Sequence, residues 1–253
     1  MSYPTSVRCA GTHRVIAALL FLTLALLLST VPALGQQTYV SRYNLYAGYT
    51  FLDSPHVSLF ENGLHVQAGV NPTTWLALGF DYSISGGNLS LTPNLLTPAL
   101  QTELGLVLQA LSLPLNTPVS VPTNSRTQTF AGGPQLEYRH FKQVTLFVRP
   151  SIGAIHELAT AEPGTNSLNQ AIVGALEQGG VLAAGGKKTD TTLFVGFGGG
   201  VDFNVTKHVG LRVQADLVHD HLFSDTLQDA RYTVRFSVGP TFNLGKNITK
   251  RSH

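Results

Sequence analysis

The chain has 253 residues, of which only 12% are charged, with 16 Lys and Arg against 14 Asp and Glu. Charge so sparse and balanced excludes the basic patch that a nucleic-acid partner needs. The single cysteine, Cys9, lies in the leader, which excludes a disulfide framework, a thiol nucleophile and a thiolate metal site from the rest.

The chain opens with Arg8 and Arg14, an apolar run from Val15 to Leu28, then Ala33-Leu34-Gly35. That order of charged, apolar and small residues predicts a secretory signal peptide over residues 1–35. About 218 residues remain after it, enough for one domain with elaborate loops. Low charge together with apolar residues that alternate, instead of running together, suggests a β-barrel in lipid.

Eight alternating stretches follow. They are Tyr43 to Leu52, Leu64 to Val70, Trp75 to Ser83, Thr127 to Arg139, Val144 to Ile155, Thr191 to Asn204, His208 to Val218 and Arg231 to Leu244. In the last, Tyr232, Val234, Phe236, Val238, Pro240, Phe242 and Leu244 share one face and Thr233, Arg235, Ser237, Thr241 and Asn243 the other. The predicted connections alternate long and short, beginning with a long loop at Asp53 to Gly63. Two are long insertions, Ile84 to Asn124 and His156 to Asp190. Each is expected to hold a short helix, one opening at Thr97-Pro98 and one over Ser167 to Gln178 that stops at Gly179-Gly180. Asn88 to Thr92 and Pro118 to Val121 are candidates for an extra hairpin. The reading is all-β: an eight-stranded antiparallel transmembrane up-and-down barrel over 36–245 with two long extracellular insertions, ending in a polar tail, 246–253. Short turns and both chain ends then face the periplasm.

Lysine distribution chooses the inner face. The lysines beyond the leader fall in predicted turns, loops and tail, whereas a water-facing strand surface would be studded with them. The polar face instead holds Asp81, Glu137, Asp202 and Asp216 against Arg139, Arg149, Arg212 and Arg235, a set suited to a confined lumen where charges pair. Asp202 with Arg212, across one short turn, is the expected pair. Aromatics near the ends of the apolar face, Tyr43, Tyr49, Phe51, Trp75, Tyr82, Tyr138, Tyr232 and Phe242, fit interfacial girdles.

On these features the stretch from Arg42 to about Leu244 resembles the small OmpA/OmpX-type outer-membrane barrels. The resemblance implies a Gram-negative cell-surface protein of the wider porin family, surrounded by outer-membrane lipids. RFSVGPTFNL, within the last strand, looks like the closing strand that the family's barrel-assembly machinery recognises. It departs from many members in carrying the tail beyond Phe242.

Other chemistry is declined on spacing. Gly196, Gly198, Gly199 and Gly200 lie within a strand, where glycine makes room in the lumen, and not between a strand and a helix. Gly185-Gly186-Lys187-Lys188-Thr189 is no P-loop, because Val181 stands where the leading glycine belongs. The rim residues His56, His156, Glu157, His219, Asp220, His221 and Asp225 are a polar cluster, with solvated loop histidines favoured over a metal site. Ser224 with His221 and Asp225 lacks the His-x-Ser arrangement of lipid-hydrolysing barrels. The expectation is a monomer with no enzyme activity, no cofactor and no nucleic-acid partner. Its outer loops have a structural or surface-interaction role toward an unidentified extracellular ligand; a narrow channel is the alternative and a lipid-modifying enzyme a more distant one.

Overall fold

The computed structural model describes residues 37–227 and 231–249; the expected leader and the end of the tail lie outside them. The strands are β1 (Ser41–Ser54), β2 (Leu59–Val70), β3 (Leu76–Leu91), β4 (Val121–Tyr138), β5 (Val144–Ala161), β6 (Lys187–Asn204), β7 (Val209–Asp220) and β8 (Arg231–Asn247). Each pairs antiparallel with its sequence neighbour, and β8 pairs with β1 to close the barrel. Two helices, α1 (Pro98–Ala110) and α2 (Ser167–Gln178), sit in the β3–β4 and β5–β6 connections.

Register explains how a period of two becomes two walls. The pairs Gln67↔Asp81, Asp81↔Ala131 and Ala131↔Gly153 run across four strands, so inward residues stay inward around the circumference. The burial that results is inverted relative to a water-soluble protein. Leu193 is 73% and Ile152 63% exposed, while Asp81 and His65 are 0% exposed and Arg235 1%. Apolar side chains cover the outer wall, and charged side chains fill the interior.

The strands outrun the bounds read from the sequence. β3 continues to Leu91 and β4 begins at Val121, with Leu91↔Val121 and Asn88↔Asn124 in register. Asn88 to Leu91 therefore pair with Val121 to Asn124 as an extension of the β3–β4 ladder, not as a separate hairpin, and of the expected partner Pro118 to Val121 only Val121 takes part. β5 and β6 likewise pair out to Thr160↔Lys187, which shortens both expected insertions. β2 begins at Leu59, so the expected long loop Asp53 to Gly63 contracts to a 3-10 turn at Pro55–Val57 with Ser58 at a positive φ of 51°. Lysine is not absent from strands either: Lys187 and Lys188 open β6, and Lys246 lies in β8.

The apolar core lies at one end, above the charged lumen. Leu59, Ile155, Phe194, Val218, Leu222, Phe223 and Leu227 form one cluster; Leu104, Leu108, Val121, Ile172 and Val173 form a second, into which both helices pack. α1 starts where Thr97-Pro98 predicts, yet the Thr97 hydroxyl makes no capping bond; Leu100, Leu104 and Leu108 turn inward. α2 is capped by the Asn166 side chain, which accepts from the Leu168 and Asn169 amides. The Thr97 amide donates to Thr226 O at 2.9 Å, and Asn169 Nδ2 donates to Ser120 O at 3.0 Å. These bonds tie the long connections into a cap over one mouth. The other end carries short turns, 71–75, 139–143 and 205–208.

Candidate functional site

The lumen is the most elaborate polar assembly among the described residues. At mid-height Arg149 Nη1 approaches Asp81 Oδ2 at 2.6 Å, and Arg235 Nη2 approaches Asp216 Oδ2 at 2.9 Å. Cross-links of 3.6 Å (Arg149 to Asp216) and 3.7 Å (Arg235 to Asp81) join the two pairs into one quartet. Arg235 also donates to Thr129 Oγ1 at 3.2 Å. His65 sits against the quartet, 3.0 Å from Ser237 Oγ and 3.8 Å from Asp81. The quartet fits because β6 is bare beside it: a Cβ on Gly198 would stand 1.8 Å from Asp216 Oδ1.

Toward the short-turn end Arg212 grips Asp202 with two bonds of 2.7 and 2.8 Å and donates to Gln67 Oε1 at 2.6 Å. Its guanidinium lies 4.5 Å from the Phe147 ring centroid, so a fixed carboxylate and an aromatic face share the charge. Below it Arg139 Nε donates to Glu137 at 3.0 Å, and Arg139 Nη1 to Gln37 at 3.1 Å. Gln37, from the segment before β1, also donates to Thr145 at 2.8 Å and lies across this mouth. Toward the cap, Glu61 accepts from Ser85 and Thr127 at 3.0 and 2.9 Å, and Glu157 accepts from Ser125 at 2.9 Å. From cap to turns, the lumen is crossed by successive layers of bonded side chains.

All eight charged residues read from the sequence thus lie inside and in ion pairs. His65, Glu61, Tyr46, Gln67 and Gln214 share the lumen with them. Glu61 is absent from the sequence-read set because its segment looks like a loop; the alternation Leu59, Glu61, Gly63, His65 is the signal that marks it.

The outer wall has an aromatic belt at each end. Tyr43, Trp75, Tyr138 and Phe242 are 40–57% exposed at the short-turn end. Tyr49 and Tyr232 are exposed toward the cap, where Phe51 and Tyr82 are half-buried against Phe60 and Phe130. Tyr49 OH donates to Asn62 at 2.7 Å, and Tyr82 OH to Gln128 at 3.3 Å, each ring bridging apolar wall and polar rim. Phe60, Phe80, Phe130, Phe197 and Phe236 add exposed rings that the sequence-read set omits.

No family model matches the sequence, and neither does any curated protein. Solved structures do. Neisserial surface protein A matches with a TM-score of 0.46 and 11% identity over 80% of this chain and 96% of that one. The outer membrane protein OprG of Pseudomonas aeruginosa gives 0.47 and 7% over 83% and 99%. Ail, the attachment invasion locus protein of Yersinia pestis, solved with the heparin analogue sucrose octasulfate, gives 0.44 and 11% over 80% and 98%. These similar structures are small outer-membrane barrels. At such identities the likeness is one of overall form and carries no residue role across.

The rim residues are divided by the barrel wall. Successive strand residues face opposite ways, so Glu157 and Asp220 turn into the lumen while His156 and His219 stay outside. His156 Nδ1 contacts Thr191 Oγ1 at 2.7 Å, and His219 stacks on Tyr232 at 4.4 Å. The His56 side chain is outside the described set. Among the described residues no group of three His, Cys, Asp or Glu is placed to hold a metal ion. Asp225, beside Ser224, is bound by Lys188 Nζ at 2.7 Å and does not serve to orient His221. That ammonium holds the Asp225 carboxyl below the usual carboxylate range.

Proposed function

We propose that this protein is a non-enzymatic outer-membrane barrel, closed to bulk ion flow, whose capped end carries a structural or surface-interaction role. One observation carries the reading: leucine, isoleucine and phenylalanine face outward while paired charges block the interior. An apolar wall between aromatic belts is matched to hydrocarbon, and a closed barrel leaves no unpaired strand edge within it. The chain crosses with strands, inserts through the barrel-assembly machinery and acts as a monomer surrounded by lipid. The short turns, the start of β1 and the end of β8 then face the periplasm, and the cap of α1, α2 and the β7–β8 connection faces outward. The cap's packed apolar core makes it a fixed surface suited to contact with an extracellular ligand.

Planar-bilayer recording of the folded protein tests this. No steady current is expected, whereas discrete open channels would refute the closed-lumen reading. A narrow gated path is the second reading, favoured by Arg149, whose Nε has no hydrogen-bond partner among the described residues. On that reading Arg149→Ala changes the ion selectivity of an existing current instead of creating one.

A further inference from the structure

The barrel's two ends differ in charge. At the short-turn end four exposed cations, Arg42, Lys142, Lys207 and Lys246, stand beyond the aromatic belt. The acids at this end, Glu137 and Asp202, are 7% and 8% exposed and occupied by Arg139 and Arg212. None of the four exposed cations is in an ion pair among the described residues. At the capped end Asp53, Glu103, Glu162 and Asp225 are exposed against Arg126 and Lys187. Among the described residues the exposed charges of one end are uniformly positive, and those of the other are mixed.

The four positive side chains form part of a ring. Arg42 and Lys246 flank the β1–β8 seam, where a Cβ on Gly245 would lie 3.3 Å from Arg42 Cβ. Lys207 occupies the β6–β7 turn and Lys142 the β4–β5 turn, and both line a cavity of about 220 Å³ that opens at this mouth with Gln143, Asn204 and Thr206. Three of the four cations adjoin an exposed apolar or aromatic position. Arg42 precedes Tyr43, Lys207 follows Val205 (73% exposed) by two residues, and Lys246 follows Leu244 likewise. Long basic side chains beside apolar anchors lay their stems along the apolar surface and hold the charge at headgroup depth.

We propose that this ring is a docking surface for anionic phospholipid headgroups of the periplasmic leaflet, with phosphate oxygens bridging neighbouring turns. The proposal rests on the membrane reading above and adds which lipid the barrel selects and at which end. Lipid is favoured over a soluble anion because the cations form part of a ring just beyond the belt, where phosphates already lie. Near an anionic surface each such cation contributes about fivefold to local association, and salt screens the effect.

The test folds the full mature chain into nanodiscs of mixed phosphatidylcholine and phosphatidylglycerol and measures the co-purifying lipid by native mass spectrometry. The wild type should retain phosphatidylglycerol at least about fivefold over its bulk share, falling in high salt. Arg42→Gln/Lys142→Gln/Lys207→Gln/Lys246→Gln should abolish the preference, while Arg126→Gln/Lys187→Gln at the capped end should preserve it. Loss of the heat-dependent gel shift would expose misfolding of the quadruple variant, in which case the four single variants must each lower the enrichment. No enrichment in the wild type, or enrichment that survives all four substitutions, overturns the proposal. Co-sedimentation with purified cell-wall sacculi that disappears in the variant, without lipid enrichment, overturns it in favour of a wall polymer. Failure to insert into any bilayer is a separate result that refutes the membrane reading itself.

Discussion

A buried arginine is tolerable only while its carboxylate is in place, and Arg212 illustrates the cost. Asp202→Ala leaves the guanidinium at 2% exposure between Tyr46 and Phe147 without its bidentate partner. Unfolding from bilayers by urea should register a loss of roughly 3–5 kcal/mol, and Asp202→Ala/Arg212→Ala should cost less than the single change. The proximity of these two residues follows from local register, since a four-residue turn sets Asp202 directly opposite Arg212. Arg149 and Asp81 come from β5 and β3, which are not neighbours, and meet only because the barrel closes; no spacing in the sequence marks such a contact. On the surface, Asp225 titrates below its ordinary range because Lys188 donates to it. A depressed carboxyl pKa means that the interaction is present above the ordinary range and fades as pH falls through the lowered value. Carboxyl-carbon NMR should show Asp225 titrating below the reference of about 3.9, and Lys188→Ala should return it toward that value.

At the scale of strands, closure depends on β8 meeting β1. Gly239 lies against that seam, where an added Cβ would stand 2.3 Å from both Ala47 O and Gly48 Cα. Both are backbone atoms that cannot step aside. Gly239→Val should therefore cost at least about 1–3 kcal/mol and reduce the fraction of protein showing the fast-migrating, unboiled gel band. Gly79→Ala, whose Cβ would have only Ala68 O at 3.7 Å, should fold normally. The existence and order of the strands were legible because apolar alternation is strong wherever the outer wall is apolar. Their ends were not: beyond the belts the outward positions become Asn88, Ser90, Asn124 and His156, so the alternation vanishes while the hydrogen-bonded ladder continues. α2 was readable to the residue because Gly179-Gly180 punctuates it. The β1–β2 turn is hidden in the sequence because Asp53, Ser54 and Pro55 look like a loop while Ser54 still pairs with Leu59.

For the whole molecule, wall and lumen have exchanged the roles they play in a soluble barrel. A filled ionic interior predicts a closed pore, and Arg149→Ala, by removing one arm of the quartet, should either lower stability or open a small conductance that the wild type lacks. The outward apolar wall is the central claim, and the chain's single tryptophan reports on it directly. Trp75 is 57% exposed in the belt beside the 71–75 turn. Its fluorescence should be measured after folding into vesicles whose lipids carry bromine at graded depths along the acyl chain. A lipid-facing wall predicts blue-shifted emission, quenched most by bromine close to the headgroup, as expected for a ring at the interface. Red-shifted emission untouched by bromine at any depth would place Trp75 in water and contradict the account.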